Sequence, residues 1–367
     1  MKILIVTNHS YMFYRFRKEL LEALLRDNEV VLSTPFVGHE DDLRDMGAEC
    51  IETNVSRRSI NPFKDMKLLK TYSRMLDDVE PDIVITYSVK PNIYMGTACR
   101  NKGILYFANV QGLGTAFEKP LLSSVVSVMY RSALRKANTV FFENEENARF
   151  FTDGNIVSDS QVRVLPGAGI NLNEYPYVPM QDDGVCRFLF VGRIMKEKGV
   201  DEFFAAAEKL KADMGEGVAF DVVGFYEDAY KDTVDRLTAE GVIKFHGFQT
   251  DVHPFYEAAD CVVLPSYHEG MSNVLLEGAA MGRALITSDI PGCREAVDNG
   301  VSGYLCPKQD TDALICAVRA FAEKSFEERK QMGYSGRKLV EEKFDKRIAV
   351  AQTLGGLGIA EAARNKT

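Results

Sequence analysis

The sequence of 367 residues lacks most of the patterns that assign a cofactor or a compartment at first sight. It has seven cysteines but no CxxC pair, and its five histidines are too scattered to form a metal-ligand cluster. No run of about 18 apolar residues occurs, so we expect no membrane-spanning helix. The opening residues, MKILIVTNHS, lack the long apolar region of a signal peptide. We therefore expect a cytoplasmic protein with reduced, buried thiols and no metal.

The charge balance excludes another class of function. The formal net charge is −9, which disfavours a general nucleic-acid binder. Residues 1–180 carry a net charge of only −1, whereas residues 181–367 carry −8. The first half is thus the better candidate for contact with an anionic surface.

Two common nucleotide-binding loops are also missing. The turn after the first predicted strand, TNHSYMFYRFRKE (7–19), contains no GxGxxG, and QGLGT (111–115) lacks the third glycine. No GxxxxGK[ST] occurs anywhere. Nicotinamide, flavin and P-loop ATP chemistry are therefore disfavoured.

Short apolar runs alternate with helical patterns along the chain. Runs rich in Val, Ile and Phe without polar alternation are typical of strands buried on both faces, and their alternation with helices predicts parallel sheets. In the first half the predicted strands are KILIVT (2–7), EVVLST (29–34), ECIET (49–53), DIVITY (82–87), ILYFAN (104–109), TVFFEN (139–144) and VRVLP (162–166). In the second half they are CRFLFVG (186–192), AFDVVG (219–224), IKFHG (243–247), CVVLPS (261–266), ALITSD (284–289) and SGYLC (302–306).

These elements predict two consecutive α/β domains. The segment NEYPYVPMQDDG (173–184), with two prolines, has the composition of an inter-domain linker. We predict Rossmann-like domains at residues 1–175 and 185–344, and a C-terminal helix at 345–367 that returns to the first domain. Ligands of such sheets bind beyond the carboxyl ends of the strands, so facing sheets would leave a cleft there.

The first strand of the second domain is followed by two cations. Arg193 and Lys198 leave the strand end just before a predicted helix. A diphosphate at this position would meet two positive charges and a helix N-terminus. The alternative interpretation is that both are solvated surface cations.

The next two strands of this domain end in a glycine and near an aromatic residue. Gly224 would let a ligand approach the backbone closely, although a plain turn also explains it. Phe248 would offer a flat surface to a nucleotide base, with packing in the core as the alternative.

The stretch YHEGMSNVLLEGAAMG (267–282) contains two acids eight positions apart. Ser272 or Asn273 is a natural N-cap, so we predict that Glu269 projects from the loop and Glu277 from the first helical turn. The loop amides favour an anion, and one carboxylate can accept from both vicinal hydroxyls of a ribose. The alternatives are a solvated loop acid and an acid favoured by the helix dipole.

The segments VGRIMKEKG (191–199), LPSYHEGMSNVLLEGAAMG (264–282) and SDIPGCREAVDNGVSGYL (288–305) resemble the retaining glycosyltransferases of family 4. The resemblance covers nearly the whole C-terminal half, and the E-x7-E pattern of the family falls on Glu269 and Glu277. It implies the α/β architecture called GT-B, in which two Rossmann-like domains face each other across a cleft.

The resemblance also implies site roles. Glu277 would bind the ribose of a nucleotide sugar, and Glu269 would hold the donor sugar. Arg193 and Lys198 would stabilise the leaving diphosphate in place of a metal, and no cofactor is implied. The resemblance places Gly270, Met271 and Ser272 at the donor sugar and diphosphate through their amides. Position at the strand ends, apart from the resemblance, adds Asn273, Gly224 and Phe248 to the predicted donor-binding residues. A front-face route would retain the anomeric configuration.

The N-terminal half resembles a narrower group, bacterial enzymes that extend undecaprenyl-diphosphate-linked saccharides. The similar segments are RRSINPFKD (57–65), YSVKPNIYMG (87–96) and VQGLGTAF (110–117). The chain departs from the group where NHSYMFYRF replaces a double-glycine loop and where SVKPN replaces a histidine. The predicted acceptor-binding residues are His9, Arg57, Arg58 and Lys90, chosen by charge and strand-end position, and Asn92, which with Lys90 lies where the group has its histidine.

Two amphipathic stretches bear on a membrane-bound acceptor. Residues 11–26 combine aromatic side chains with four cations, and residues 119–136 have a broad apolar face with cations near both ends. Such helices can lie at an anionic surface. The alternative is that both apolar faces pack on the sheet.

The predicted function is transfer of a sugar from a UDP-sugar to a polyprenyl-diphosphate-linked saccharide, by an enzyme peripheral to the inner face of the cytoplasmic membrane. UDP rather than GDP is implied by the resemblance alone. The alternatives are transfer to a soluble acceptor, a UDP-sugar 2-epimerase and a non-catalytic nucleotide-sugar binder. An epimerase would need positioned acid/base groups, usually with a histidine.

Overall fold

The computed structural model describes residues 1–55, 62–113, 117 and 120–359. The chain divides into two compact units, here called unit 1 (Met1–Ala168 with the chain from Arg347 onward) and unit 2 (Gly169–Lys346). The segment 173–184, predicted to be a linker, is part of unit 2. The N-terminal part of unit 1 ends at Ala168, earlier than the predicted domain boundary at residue 175.

Unit 1 is built on a parallel sheet of seven strands within the described residues, in the order β3-β2-β1-β4-β5-β6-β7. The strands are β1 (Lys2–Val6), β2 (Glu29–Thr34), β3 (Glu49–Glu52), β4 (Ile83–Tyr87), β5 (Leu105–Val110), β6 (Thr139–Phe142) and β7 (Val162–Val164). The helices are α1 (Ser10–Leu25), α2 (Glu40–Asp45), α3 (Pro62–Val79), α4 (Val89–Lys102), α5 (Pro120–Leu134) and α6 (Glu145–Asp153). All seven predicted strands are present.

The helices of unit 1 cover both faces of its sheet. Helices α3 to α6 contribute to one hydrophobic cluster, and α1 and α2 contribute to another. The apolar side of α1, including Phe13, Leu20 and Leu24, lies in the second cluster. The apolar face of residues 11–26 is thus used for packing on the sheet, which is the alternative to the predicted surface contact.

Unit 2 contains a parallel sheet of six strands, in the order β10-β9-β8-β11-β12-β13. The strands are β8 (Cys186–Val191), β9 (Val218–Val223), β10 (Lys244–Phe245), β11 (Cys261–Leu264), β12 (Ala284–Ser288) and β13 (Gly303–Cys306). The helices are α7 (Val200–Met214), α8 (Lys231–Ala239), α9 (His253–Ala258), α10 (Asn273–Ala280), α11 (Thr311–Ala322) and α12 (Phe326–Lys343). All six strands predicted for the second half are present, and a single hydrophobic cluster forms the core.

The last helix, α13 (Lys346–Gly356), begins at the end of unit 2 and packs in unit 1. There the Thr139 hydroxyl donates to the Gly356 carbonyl at 3.1 Å. No helix among the described residues combines the length and apolarity that crossing a bilayer requires.

The strand order of each sheet reverses direction once. In unit 1 the reversal lies between β1 and β4, and in unit 2 it lies between β8 and β11. The chain leaves neighbouring strands to opposite sides at such a point, and the crevice beyond their carboxyl ends is where ligands of open α/β sheets bind.

Candidate active site

Two side chains meet beyond the ends of β8 and β11. Lys198 Nζ donates to Glu269 Oε1, and the same carboxylate oxygen accepts from Ser266 Oγ at 2.8 Å. The Lys198 and Glu269 side chains are only 18% and 13% exposed. The structure thus brings together two of the three predicted catalytic residues in a partly desolvated ion pair, in which each charge acts more strongly than in bulk water.

A glycine allows this contact. Lys198 ends a 3-10 turn (Lys196–Lys198), and Gly199 follows with a φ of 72°. A Cβ atom on Gly199 would lie 2.1 Å from the Pro265 carbonyl oxygen. Only glycine permits both the left-handed backbone and this close approach, so the lysine turn and the loop after β11 pack together here.

The loop that carries Glu269 is held by a second close approach. A Cβ atom on Gly292 would lie 2.1 Å from the Gly270 carbonyl oxygen, and Ser272 N donates to Gly292 O at 2.8 Å. The Ser272 amide, predicted to hold the diphosphate, is therefore engaged within the protein. The Met271 side chain is buried in the core, which leaves its backbone as the part that can face a ligand.

Glu277 lies deeper than predicted. It is the fifth residue of α10, one turn beyond the Ser272 N-cap position, and is 6% exposed. Its Oε2 accepts from the buried Tyr256 hydroxyl at 2.8 Å. The tyrosine fixes the orientation of the carboxylate, so a ligand hydroxyl would meet a positioned acceptor.

Arg193 lies directly beyond β8 and is accessible. Its side chain is 43% exposed, and its guanidinium lies 3.7 Å from Glu227 Oε2. A pair at this distance whose arginine is exposed contributes little to stability, so an anionic ligand can compete for the arginine.

Gly224 is required by the protein backbone. A Cβ atom on Gly224 would lie 1.7 Å from the Gly192 carbonyl oxygen. The space that the glycine leaves open is therefore filled by the neighbouring strand end, which differs from the ligand approach predicted for it.

Phe248 is a surface residue. It is 57% exposed and makes an edge contact with Phe225, which is 45% exposed, at a ring distance of 6.0 Å. Core packing, the alternative interpretation, is thus wrong. The two rings form an apolar surface beyond β9 and β10.

The predicted acceptor residues of unit 1 have different environments. His9 is the N-cap of α1 and accepts from Met12 N at 3.4 Å through Nδ1. Lys90 Nζ donates to Asp65 Oδ1 at 2.7 Å, and both side chains are largely buried. His9 lies just beyond the end of β1, and Lys90 lies just beyond the end of β4. Arg57 and Arg58 lie outside the described residues.

Asn92 is an interior residue and differs from its prediction. It is 0% exposed, its Oδ1 accepts from Thr86 Oγ1 at 2.7 Å, and its Nδ2 donates to Asn109 O at 2.8 Å. The amide links β4, α4 and β5 and has no surface to offer an acceptor. Its position near the end of β4 suggested a binding role, but its amide is used to satisfy buried polar groups.

Ser88 marks the same edge with a strained backbone. Its φ is 75° at the start of α4, and its hydroxyl donates to Asn8 Oδ1 at 2.9 Å beyond β1. A non-glycine residue in this conformation costs about 1–3 kcal/mol, and such strain is concentrated at functional sites. Sequence reasoning did not indicate Ser88.

Arg17 corrects another expectation. It was counted among the cations of residues 11–26, but it is 5% exposed and its Nη2 lies 2.9 Å from Glu143 Oε1. The guanidinium also lies 5.5 Å from the centre of the Tyr87 ring. Removing one partner of such a pair would leave a buried charge uncompensated, so Arg17 has a structural role.

The titratable side chains of the described residues include no candidate metal site. Within the described ranges, no group of three or more His, Cys, Asp or Glu side chains is placed to hold a metal ion. All seven cysteines are free thiols, of which five are buried, Cys50 is partly buried and Cys316 is exposed. Burial, with the nearby Glu269 charge, raises the pKa of the Cys293 thiol, so this residue stays neutral.

Solved structures match this arrangement of strands and helices. Anabaena HepE in complex with UDP and glucose has a TM-score of 0.78 and 17% identity, covering 98% of this chain and 99% of that one. A glycosyltransferase from Rickettsia africae has a TM-score of 0.76 and 18% identity, covering 96% and 97%. The fold class is therefore GT-B.

Sequence comparison defines the family. The model of glycosyl transferases group 1 matches residues 181–339, and the glycosyl transferase 4-like model matches residues 2–144. The two models together match most of the chain, which therefore belongs to the glycosyltransferases that they describe, as the E-x7-E pattern indicated.

Two curated relatives are similar over most of their length. N,N'-diacetylbacillosaminyl-diphospho-undecaprenol alpha-1,3-N-acetylgalactosaminyltransferase of Campylobacter jejuni is 28% identical over 322 residues, 83% of this chain and 84% of the relative. UDP-Gal:alpha-D-GlcNAc-diphosphoundecaprenol alpha-1,3-galactosyltransferase of Escherichia coli is 27% identical over 280 residues, 71% of each chain.

The packing of Gly199 on Pro265 yields a testable prediction. Gly199→Ala should lower the free energy of unfolding by about 1–3 kcal/mol, because alanine is strained at this positive φ. It should also displace the turn that carries Lys198. We expect a lower melting temperature together with at least a roughly tenfold loss of turnover. Gly217→Ala is the matched control, because its added methyl group would meet no atom within 4 Å. Wild-type stability and turnover of Gly199→Ala would contradict the role of this contact.

Proposed function

We propose that the protein transfers a hexose or N-acetylhexosamine from a UDP-sugar to a polyprenyl-diphosphate-linked saccharide, with retention of anomeric configuration. The contact between Lys198 and Glu269 at the strand reversal of unit 2 is the observation that carries the donor site. The acceptor class is supported by the two relatives, whose names specify undecaprenyl-diphosphate acceptors in Campylobacter and Escherichia. The cellular process is synthesis of a bacterial surface polysaccharide or glycan.

The donor site has an acceptor group for the ribose and cations for the diphosphate. Glu277, oriented by Tyr256, would accept hydrogen bonds from the ribose hydroxyls. Lys198 has three donors, so it can bind a phosphate oxygen while it still contacts Glu269. Arg193, which is exposed at the same edge, would bind the diphosphate as a second cation. Phe248 and Phe225 would receive the base.

Charge on the leaving diphosphate grows as the bond from its oxygen to the sugar C1 breaks. Lys198 and Arg193 would stabilise that charge more in the transition state than in the ground state, which lowers the barrier. The acceptor hydroxyl attacks C1 from the face that the diphosphate leaves, and the leaving phosphate oxygen takes its proton. The new bond then has the configuration of the old one. Glu269 would hold hydroxyls of the donor sugar.

We further propose that transfer needs no metal, since these two cations supply the positive charge. Unit 1 would bind the acceptor at the edge where His9, Ser88 and Lys90 lie, and the enzyme would be peripheral at the inner face of the cytoplasmic membrane. Transfer to a soluble acceptor and UDP-sugar 2-epimerisation are not favoured, because two relatives that match most of the chain are transferases whose names specify undecaprenyl-diphosphate-linked acceptors.

A direct assay tests the proposal. The protein is incubated with polyprenyl-diphosphate saccharides and a panel of UDP-sugars in a buffer that contains EDTA, and products are read by mass spectrometry. We expect the acceptor to gain one sugar from one donor. Product that appears only after a divalent cation is added would contradict metal independence. A changed UDP-sugar in the absence of acceptor would identify an epimerase instead.

Lys198→Ala should lower kcat by about 10²-fold or more at saturating donor, because a charge-stabilising donor is lost. Lys196 provides the matched control, since it lies in the same turn but is exposed. Lys196→Ala should retain wild-type turnover. A normal kcat for Lys198→Ala would refute the leaving-group role.

Glu277→Ala should weaken UDP binding by about 1–3 kcal/mol, the usual contribution of hydrogen bonds to a charged group. Tyr256→Phe removes only the positioning bond, so its effect should be smaller, about 0.5–1.5 kcal/mol. Calorimetry with UDP measures both, and thermal unfolding confirms that each variant is folded. Equal UDP affinity in wild type and Glu277→Ala would remove the ribose role.

A further inference from the structure

Helix α3 presents an unusual surface on unit 1. Phe63, at its start, is 88% exposed, more than any other large apolar side chain among the described residues. Met66, one turn further, is 56% exposed. An aromatic ring exposed to this degree is stabilised when apolar surroundings remove it from water, so this surface favours an apolar partner.

Four exposed residues of α3 form one stripe along the helix. Phe63, Lys67, Lys70 and Arg74 follow the spacing i, i+4, i+7 and i+11, which places them on one helical face. The opposite face is fixed, since Leu68, Tyr72, Met75 and Leu76 lie in the core of unit 1. The helix therefore cannot rotate to hide the stripe.

The stripe is strongly cationic over its first three turns. Lys67, Lys70 and Arg74 are exposed and make no ion pair within the described part of the chain. Of the acids near them in sequence, Asp65 is largely buried and bonded to Lys90, Asp77 is bonded to Lys102, and Asp78 is exposed one turn beyond Arg74. An exposed aromatic residue beside exposed cations is the combination found in helices that lie at anionic membrane surfaces.

The stripe begins near the edge of unit 1 that we assign to the acceptor. Helix α3 follows β3, so it begins at the carboxyl edge of the sheet, where His9 and Ser88 lie. The bond from Lys90 to Asp65 joins the first turn of α3 to the first turn of α4. A surface bound through Phe63 would thus be next to the edge that we assign to the acceptor.

We propose that the exposed face of α3 docks unit 1 on an anionic lipid bilayer, with Phe63 and Met66 inserted among the headgroups and Lys67, Lys70 and Arg74 on the lipid charges. The cations together with the exposed Phe63 side chain favour a lipid partner over a protein or a nucleic acid. The statement that docking brings the acceptor-binding edge of unit 1 to the bilayer rests on the proposed function. The docking element differs from the predicted stretch at residues 11–26, whose apolar side packs on the sheet.

Vesicle co-sedimentation of the full chain tests the docking. Wild type should bind vesicles of phosphatidylcholine with phosphatidylglycerol at low salt, bind phosphatidylcholine alone more weakly, and be released by added salt. Lys67→Glu/Lys70→Glu should lower partitioning by about tenfold or more. Phe63→Ser should lower it without any change of charge. Lys308→Glu/Lys343→Glu, at exposed lysines of unit 2, makes the same charge change and should bind as wild type does.

Transferase assays separate docking from catalysis. With an acceptor on a short, water-soluble prenyl chain, Lys67→Glu/Lys70→Glu should turn over as wild type does, and it should be slower only with acceptor embedded in anionic vesicles. Wild type that ignores anionic vesicles, or α3 and control variants that bind equally, would overturn the docking. Absence of transfer by wild type in both assays, with α3-dependent vesicle binding retained, would overturn the proposed function and leave the docking standing.

Discussion

The candidate site depends on one contact, in which the Lys198 ammonium and the Glu269 carboxylate meet beyond adjacent strands. Neither charge would remain partly buried alone, because desolvation of an unpaired charge is costly. Two glycines make the contact possible, since Gly199 and Gly292 let backbone segments approach more closely than any side chain allows. The positive charge is therefore positioned before a ligand arrives, and no reorganisation is required at the moment of reaction.

Hydrogen bonds within the protein also fix the carboxylates at this edge of unit 2. Tyr256 orients Glu277 from a different helix, and Ser266 shares the carboxylate oxygen that Lys198 contacts. Carboxylates fixed in this way act as acceptors of defined direction, which suits the recognition of sugar hydroxyls better than acid/base work. In unit 1, neutral side chains are fixed in a similar way. The hydroxyl of Ser88, whose backbone is strained, donates to Asn8 Oδ1 at the strand reversal between β1 and β4.

Much of the fold was predictable, because strands buried on both faces appear as uninterrupted Val, Ile and Phe runs, and all thirteen were placed correctly. The positions of Glu269, Lys198 and Arg193 beyond the strand ends were also predictable, since each lies in the segment between a strand and the next helix. Tyr256 and Ser266 were not, because no spacing relates them to their partners. Asn92 and Arg17 were misplaced for a physical reason: a polar residue at a strand end or on an amphipathic helix has the same pattern whether it faces solvent or satisfies buried groups.

Determining the structure of the protein with bound UDP tests the central claim most directly. The account predicts that the diphosphate lies within hydrogen-bond distance of Lys198 Nζ and Arg193, and that the ribose hydroxyls donate to Glu277. UDP bound with its diphosphate away from Lys198, or with its ribose on another acceptor, would contradict it.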